Sequence, residues 1–127
     1  MKQKLSERVI GCAIEVSRRL GAGFLEKVYE GALAIELRGA GIEFTRQHAV
    51  PVFYRDEPVG DYVCDFIIGD QLVVEIKALR ALTGAHDAQL LNYLKATRLP
   101  VGLLLNFGGP RLVIRRLALG HDDQAPI

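Results

Sequence analysis

Residues 62–77 read Tyr62-Val63-Cys64-Asp65-Phe66-Ile67-Ile68-Gly69-Asp70-Gln71-Leu72-Val73-Val74-Glu75-Ile76-Lys77. Two runs of β-formers, 62–68 and 71–77, flank a Gly-Asp turn signal, so the stretch predicts a β-hairpin. Side chains alternate along a strand. Glu75 and Lys77 therefore share one face, and Leu72, Val74 and Ile76 share the other. Asp65 falls across the hairpin on the Glu75/Lys77 face, and Cys64 on the opposite one. Two carboxylates and an ammonium thus converge on an apolar sheet. Charges in such a place are costly unless they are paired or bound to a metal. Two acidic oxygen donors suit Mg²⁺ or Mn²⁺. A lysine beside them can orient an attacking water or stabilise charge on a phosphate. The alternative is structural: Asp65, Glu75 and Lys77 form an ion-paired group that binds nothing.

Upstream, apolar residues at helical spacing predict a helix over 5–20, ended by Gly21, and a second over 24–38, stopped by Gly39-Ala40-Gly41. A strand is expected over 47–54, with a turn at Arg55-Asp56-Glu57-Pro58. Downstream, Thr83 is a plausible N-cap for a third helix over 84–97. The continuous apolar run 101–107 predicts a buried central strand, and 112–117 a last edge strand. The tail 121–127 is expected to fray. The order α-α-β-β-β-α-β-β predicts one α/β domain with a mixed sheet. The third helix should link its flanking strands as a right-handed parallel crossover.

Two further groups of residues bear on chemistry. On the third helix His86, Gln89 and Tyr93 fall on one face, next to an apolar face of Ala88, Leu91 and Leu94. The polar stripe either overlooks the hairpin carboxylates or is a solvated side. On the second helix Glu26 sits in the first turn. It either complements the helix dipole or supplies a third carboxylate to a metal.

The chain has 127 residues, half of them hydrophobic and 24% charged, which supports a packed core and argues against disorder. A net charge of +1 gives no overall nucleic-acid footprint, so such a contact must rest on local clusters. Arg111, Arg115 and Arg116 form one candidate, and Lys95 with Arg98 another. The nine Phe and Tyr fall mostly in core patterns and predict no base-stacking platform. Cys12 and Cys64 read as buried core residues rather than a disulfide or ligands. The start MKQKLSERV carries no signal segment and no run is long enough to span a membrane, so the cytoplasm is expected. His48 and His121 suggest no zinc site.

Gly23-x-x-Glu26-x-x-Tyr29, Asp65, Glu75-x-Lys77 and Gln89-x-x-x-Tyr93, in that order, resemble the GxxExxY family of the PD-(D/E)XK nuclease superfamily. The likeness covers about residues 5–117 of a single nuclease-like domain, 1–127. It implies a restriction-endonuclease-like core, a mixed central β-sheet flanked by helices. It implies a Mg²⁺- or Mn²⁺-dependent nuclease acting on DNA, with RNA also open, in repair or defence. Asp65 and Glu75, completed by Glu26, would hold the metal. Asp65, Glu75, Lys77, Gln89 and Tyr93 would be the catalytic set. The superfamily's proline before the aspartate is replaced by Cys64. The small size points to a homodimer or a partner protein. The competing reading is a nucleic-acid-binding module without its own turnover.

Overall fold

The structure is a computed structural model and describes residues 3–119. Helices α1 (Leu5–Leu20) and α2 (Glu26–Gly39) precede strands β1 (Phe44–Tyr54), β2 (Glu57–Ile68) and β3 (Leu72–Lys77); helix α3 (Gly84–Thr97) then leads to β4 (Val101–Asn106) and β5 (Val113–Ala118). The five strands lie in the order β1-β2-β3-β4-β5. Only β3 and β4 are parallel, joined through α3 as the sequence predicts. His121 and the tail 121–127 lie outside the described residues.

Two hydrophobic clusters cover the two sheet faces. One joins α1 and α2 (Val9, Val16, Tyr29, Leu33) to Phe66, Leu72, Val74 and Ile76. The other joins α3 (Leu90, Tyr93, Leu94) to Val50, Cys64, Val73 and Leu104. Leu72, Val74 and Ile76 thus share a face as expected. The core face of α3 is Leu90, Tyr93 and Leu94, with Leu91 packed at its margin; of the expected Ala88, Leu91 and Leu94 only Ala88 falls outside it, being exposed. Cys12 and Cys64 are free, buried and on opposite sides of the sheet.

Several boundaries differ from the reading of the sequence. Helix α2 starts at Glu26 rather than 24, because Leu25 is extended (φ -74°, ψ 157°) and stands as its N-cap, while the Phe24 amide donates to the Tyr29 hydroxyl (3.2 Å). The β1–β2 hairpin closes through Arg55 and Asp56 alone, both at positive φ (48° and 66°), so β2 already begins at Glu57 and includes Pro58. Proline is tolerated there because β3 pairs only with Phe66–Ile68, leaving the outer half of β2 bonded on one side. The register also slips between Val52 and Phe53, opposite the proline.

Simple alternation fails at one point. Phe66 and Ile68 pack toward α1 and α2, whereas Cys64, two residues before Phe66, packs toward α3. On β1, Phe44 packs toward α1 and α2 but Val50 toward α3. The change of face falls at Gln47 and Asp65. The ladder pairs Arg46 with Phe66 and His48 with Cys64, and no pair forms between them. Gln47 has φ +48°, a left-handed conformation that costs energy for a residue with a side chain. The strands therefore corkscrew at the position where the first carboxylate sits.

Candidate active site

Beyond Phe66 and Val74 the β2–β3 ladder stops. The next two residues facing each other are Asp65 and Glu75, and their side chains take over the bonding. The Asp65 amide donates to Glu75 Oε2 at 2.7 Å, and the Ile76 amide donates to Asp65 Oδ2 at 2.7 Å. Each carboxylate thus satisfies a backbone N–H that the parting strands would otherwise leave unpaired. The opening between the strands is lined by two adjacent acids.

Their electrostatics follow from that placement. Glu75 is 3% exposed. Burial, reinforced by the neighbouring Asp65 charge, pushes its carboxyl up to about 8. Asp65 is also raised, mainly by burial; the Ile76 amide and the Gln47 amide pull it part of the way back. Lys77 favours the ionised form of both acids. Among the described residues Lys77 makes no ion pair with either carboxylate. A purely structural ion-paired triad is therefore not what the geometry contains. Two neighbouring carboxylates whose charged forms are under-compensated have the chemistry of a site for a hard divalent cation.

Lys77 Nζ lies 3.4 Å from Gln89 Oε1, which joins β3 to the exposed face of α3. One turn on, Tyr93 is largely buried, with its ring edge-to-face against Tyr62 at 5.2 Å. Burial, then the charges of Glu75, Cys64 and Asp65, push its hydroxyl up to about 12, so it stays protonated and able to donate. His86 does not join this stripe: the Thr83 amide donates to its Nδ1 at 2.9 Å, which caps α3.

Glu26 is the first residue of α2 and is exposed. Its charge helps to raise Glu75, but among the described residues no three Asp, Glu, His or Cys side chains gather closely enough to enclose a metal ion. Tyr29, the last residue of the Gly-x-x-Glu-x-x-Tyr stretch, donates its hydroxyl to the Gly21 carbonyl (2.6 Å), accepts from Phe24, and stacks on Phe107 at 4.7 Å. It fixes the loop that presents Glu26.

Four further residues support the acids or the strand that carries Lys77. Gln47 Nε2 donates to Asp65 Oδ1 (3.3 Å) and to Glu30 Oε1 (2.7 Å). Glu30 in turn is held by Arg46 at 2.7 Å. Asn106, the last residue of β4, brackets the chain just past Lys77. Its Oδ1 accepts from Leu79 N (2.9 Å) and Gly108 N (3.2 Å), and its Nδ2 donates to Leu79 O (3.0 Å). The only cue for it was a polar residue inside the run VGLLLNF. Gly108 is required in the same clamp: a Cβ there would lie 2.2 Å from the Leu79 carbonyl oxygen.

Not all of the Phe and Tyr side chains lie in the core. Phe53, Tyr54 and Tyr62 are 59%, 64% and 41% exposed on the β1–β2 hairpin. They alternate like core residues, but the outer half of the hairpin reaches past β3 and has little to pack against. Of the candidate basic clusters, Arg115 is paired with Asp87 at 2.7 Å, while Lys95 and Arg98 border a groove beside that hairpin. Among the described residues no helix is long and apolar enough to cross a membrane.

Comparison with known proteins agrees with this arrangement. Two solved structures share the fold. SSO0001 is 21% identical with a TM-score of 0.59, over 90% of this chain and 57% of that one. The alkaline exonuclease LHK-Exo from Laribacter hongkongensis is 14% identical with a TM-score of 0.52, over 93% of this chain and 72% of the exonuclease. The chain thus spans a little over half the length of SSO0001. No curated protein matches it. A family profile matches residues 3–117, so that the chain, with its paired acids at the mouth of the sheet, belongs to the PD-(D/E)XK nuclease superfamily.

Proposed function

We propose that this chain is a single-domain nuclease of the GxxExxY branch that hydrolyses phosphodiester bonds of DNA in the cytoplasm and depends on Mg²⁺ or Mn²⁺. The observation that carries the reading is the Asp65–Glu75 pair. Two carboxylates bridged through each other's strand, Glu75 buried and Asp65 half-buried, both raised in pKa, are short of positive charge. Asp65 and Glu75 would hold the cation, and Glu26, exposed at the start of α2 and outside their immediate cluster, would complete the set by turning toward them. When bound, a divalent ion polarises a phosphate and makes a coordinated water more acidic.

The remaining roles belong to the chain's own groups. Lys77, steered by Gln89, directs its ammonium to the attacking oxygen or to charge building on the phosphate. Gln89 keeps an amide N–H free of that contact to donate to a phosphate oxygen. The Tyr93 hydroxyl, held protonated, is a second donor. The burial of Glu75 strengthens the electrostatic contacts made to it.

The test is cleavage of labelled single- and double-stranded DNA and RNA in Mg²⁺, Mn²⁺ or EDTA, with Lys77→Ala in parallel. Metal-dependent cleavage that disappears in the variant is expected. A folded wild type that cleaves nothing in any metal overturns the nuclease reading in favour of a binding module without turnover.

A further inference from the structure

A groove of about 680 Å³ runs between the outer β1–β2 hairpin and α3, with Phe53 and Tyr62 on one wall and Asn92, Lys95 and Arg98 on the other. A smaller recess of about 300 Å³ shares Tyr62 and Asn92 with it and is bounded also by Gln89 and Tyr93. Gln89 contacts Lys77, and Tyr93 feels the charges of Asp65 and Glu75. The groove therefore continues from the candidate active site along α3. From Gln89 to Lys95 the helix rises about 9 Å, so the track extends well past one phosphate.

We infer that this groove holds a single-stranded polynucleotide leading to the Asp65–Glu75 site, with a base against Phe53 and phosphates on Lys95 and Arg98; this rests on the nuclease reading given above. The chemistry argues for a strand rather than a duplex. In a duplex the base faces are already stacked, and an aromatic side chain in a groove finds no partner. In a single strand each base offers a π-face that an aromatic ring can cover. Phe53 is 59% exposed and Tyr62 41%, so both rings have uncovered surface. The two cations stand across the groove from the aromatics, which matches a strand whose bases turn one way and phosphates the other. With an overall charge of +1, attraction of the strand must come from local cations, and Lys95 and Arg98 are those that line the groove.

The test is binding of fluorescent oligodeoxyuridylate, oligouridylate and a DNA duplex by fluorescence anisotropy in EDTA. It uses the full chain, Phe53→Ala, and Lys95→Ala/Arg98→Ala. Hydrolysis of the small diester bis(p-nitrophenyl) phosphate with Mn²⁺ is followed in parallel. Single strands should bind more tightly than duplex, and the tighter of the two homopolymers identifies the natural sugar. Phe53→Ala should weaken strand binding about tenfold. The double variant should reduce the salt dependence by up to two phosphate contacts. Both should keep the melting temperature and the small-diester rate of the wild type. Unchanged strand affinity in Phe53→Ala, or equal affinity for duplex, overturns the groove while leaving the nuclease intact. Strand binding that responds to both variants, in a wild type that hydrolyses no diester, supports the groove and overturns the nuclease.

Discussion

The Asp65 amide donates to the Glu75 carboxylate while the amide after Glu75 donates to the Asp65 carboxylate, both at 2.7 Å. Each acid is anchored by the other's strand, so neither can move without opening the sheet. This reciprocal clasp orients the acids before anything binds, and the cost of orienting them is met by folding.

That arrangement makes metal-free stability depend on pH. Glu75 is raised from its ordinary 4.5 to about 8, so the folded chain retains a proton that the unfolded chain releases. Stability in EDTA should be fully present below about pH 4.5 as far as this group is concerned. It should fall as pH rises through 8. Asp65 acts in the same direction. Glu75→Gln keeps an oxygen for the Asp65 amide and carries no charge. Its melting temperature should exceed that of the wild type by several degrees near pH 8.5 and match it near pH 4.5. A constant difference across that range would contradict the buried-acid account.

Divalent cations should reverse the penalty. At a concentration about 100 times the dissociation constant, Mg²⁺ or Mn²⁺ should stabilise the wild type by about 2.7 kcal/mol at pH 7.5, visible as a rise in melting temperature. Asp65→Asn and Glu75→Gln should each lose the rise, and Ca²⁺ titrations serve as a non-catalytic comparison. A rise that persists in both variants would locate the cation elsewhere.

Tyr93→Phe removes one donor and leaves the ring packed on Tyr62. Cleavage should fall about tenfold, the value of one hydrogen bond of about 1.4 kcal/mol. The pH–rate profile should keep its shape up to pH 10, because the hydroxyl does not ionise below about 12. A lost limb in the profile would make Tyr93 a proton-transfer group instead.

Asn106→Ala orphans the amide and carbonyl of Leu79 and the amide of Gly108. Urea unfolding should show a loss of roughly 1–3 kcal/mol. Gly108→Ala, forced against the Leu79 backbone, should cost a similar amount or more. Since both hold the segment just past Lys77, turnover should drop in whatever fraction remains folded. Wild-type stability in both variants would show that the clamp is dispensable.

Much of this was legible in the sequence, and particular residues show why. Helices α1 and α3 begin and end where Gly21 and Thr83 signal, since their apolar spacing is regular and their caps are local. Leu72, Val74 and Ile76 pack on one face because β3 is short and unbroken. The same rule failed at Cys64 because alternation assumes a continuous pleat, and the left-handed Gln47 breaks it without a glycine to announce it. Phe53 and Tyr62 look like core residues in one dimension; only the overhang of the hairpin beyond β3 exposes them. Asp65 and Glu75 could be paired from spacing, but the clasp through Ile76 depends on where the ladder ends. Asn106 and the Glu30–Gln47 link act across 27 and 17 residues of sequence, beyond any local pattern.

The strands stand in the sheet in the order in which they occur in the chain. All four pairings therefore join successive strands; three of them are antiparallel hairpins, whose contacts close quickly at little loop-entropy cost. The fourth, β3 with β4, must wait for the whole of α3 to cross over the sheet. The N-terminal strands and the β4–β5 hairpin can each form before this step. The step that unites them is also the one that brings Gln89 and Tyr93 to Lys77 and the two acids. A chain still emerging during synthesis would thus display the two carboxylates before α3 and β4 exist, and folding order holds back the meeting of Gln89 and Tyr93 with the acids until that crossover closes.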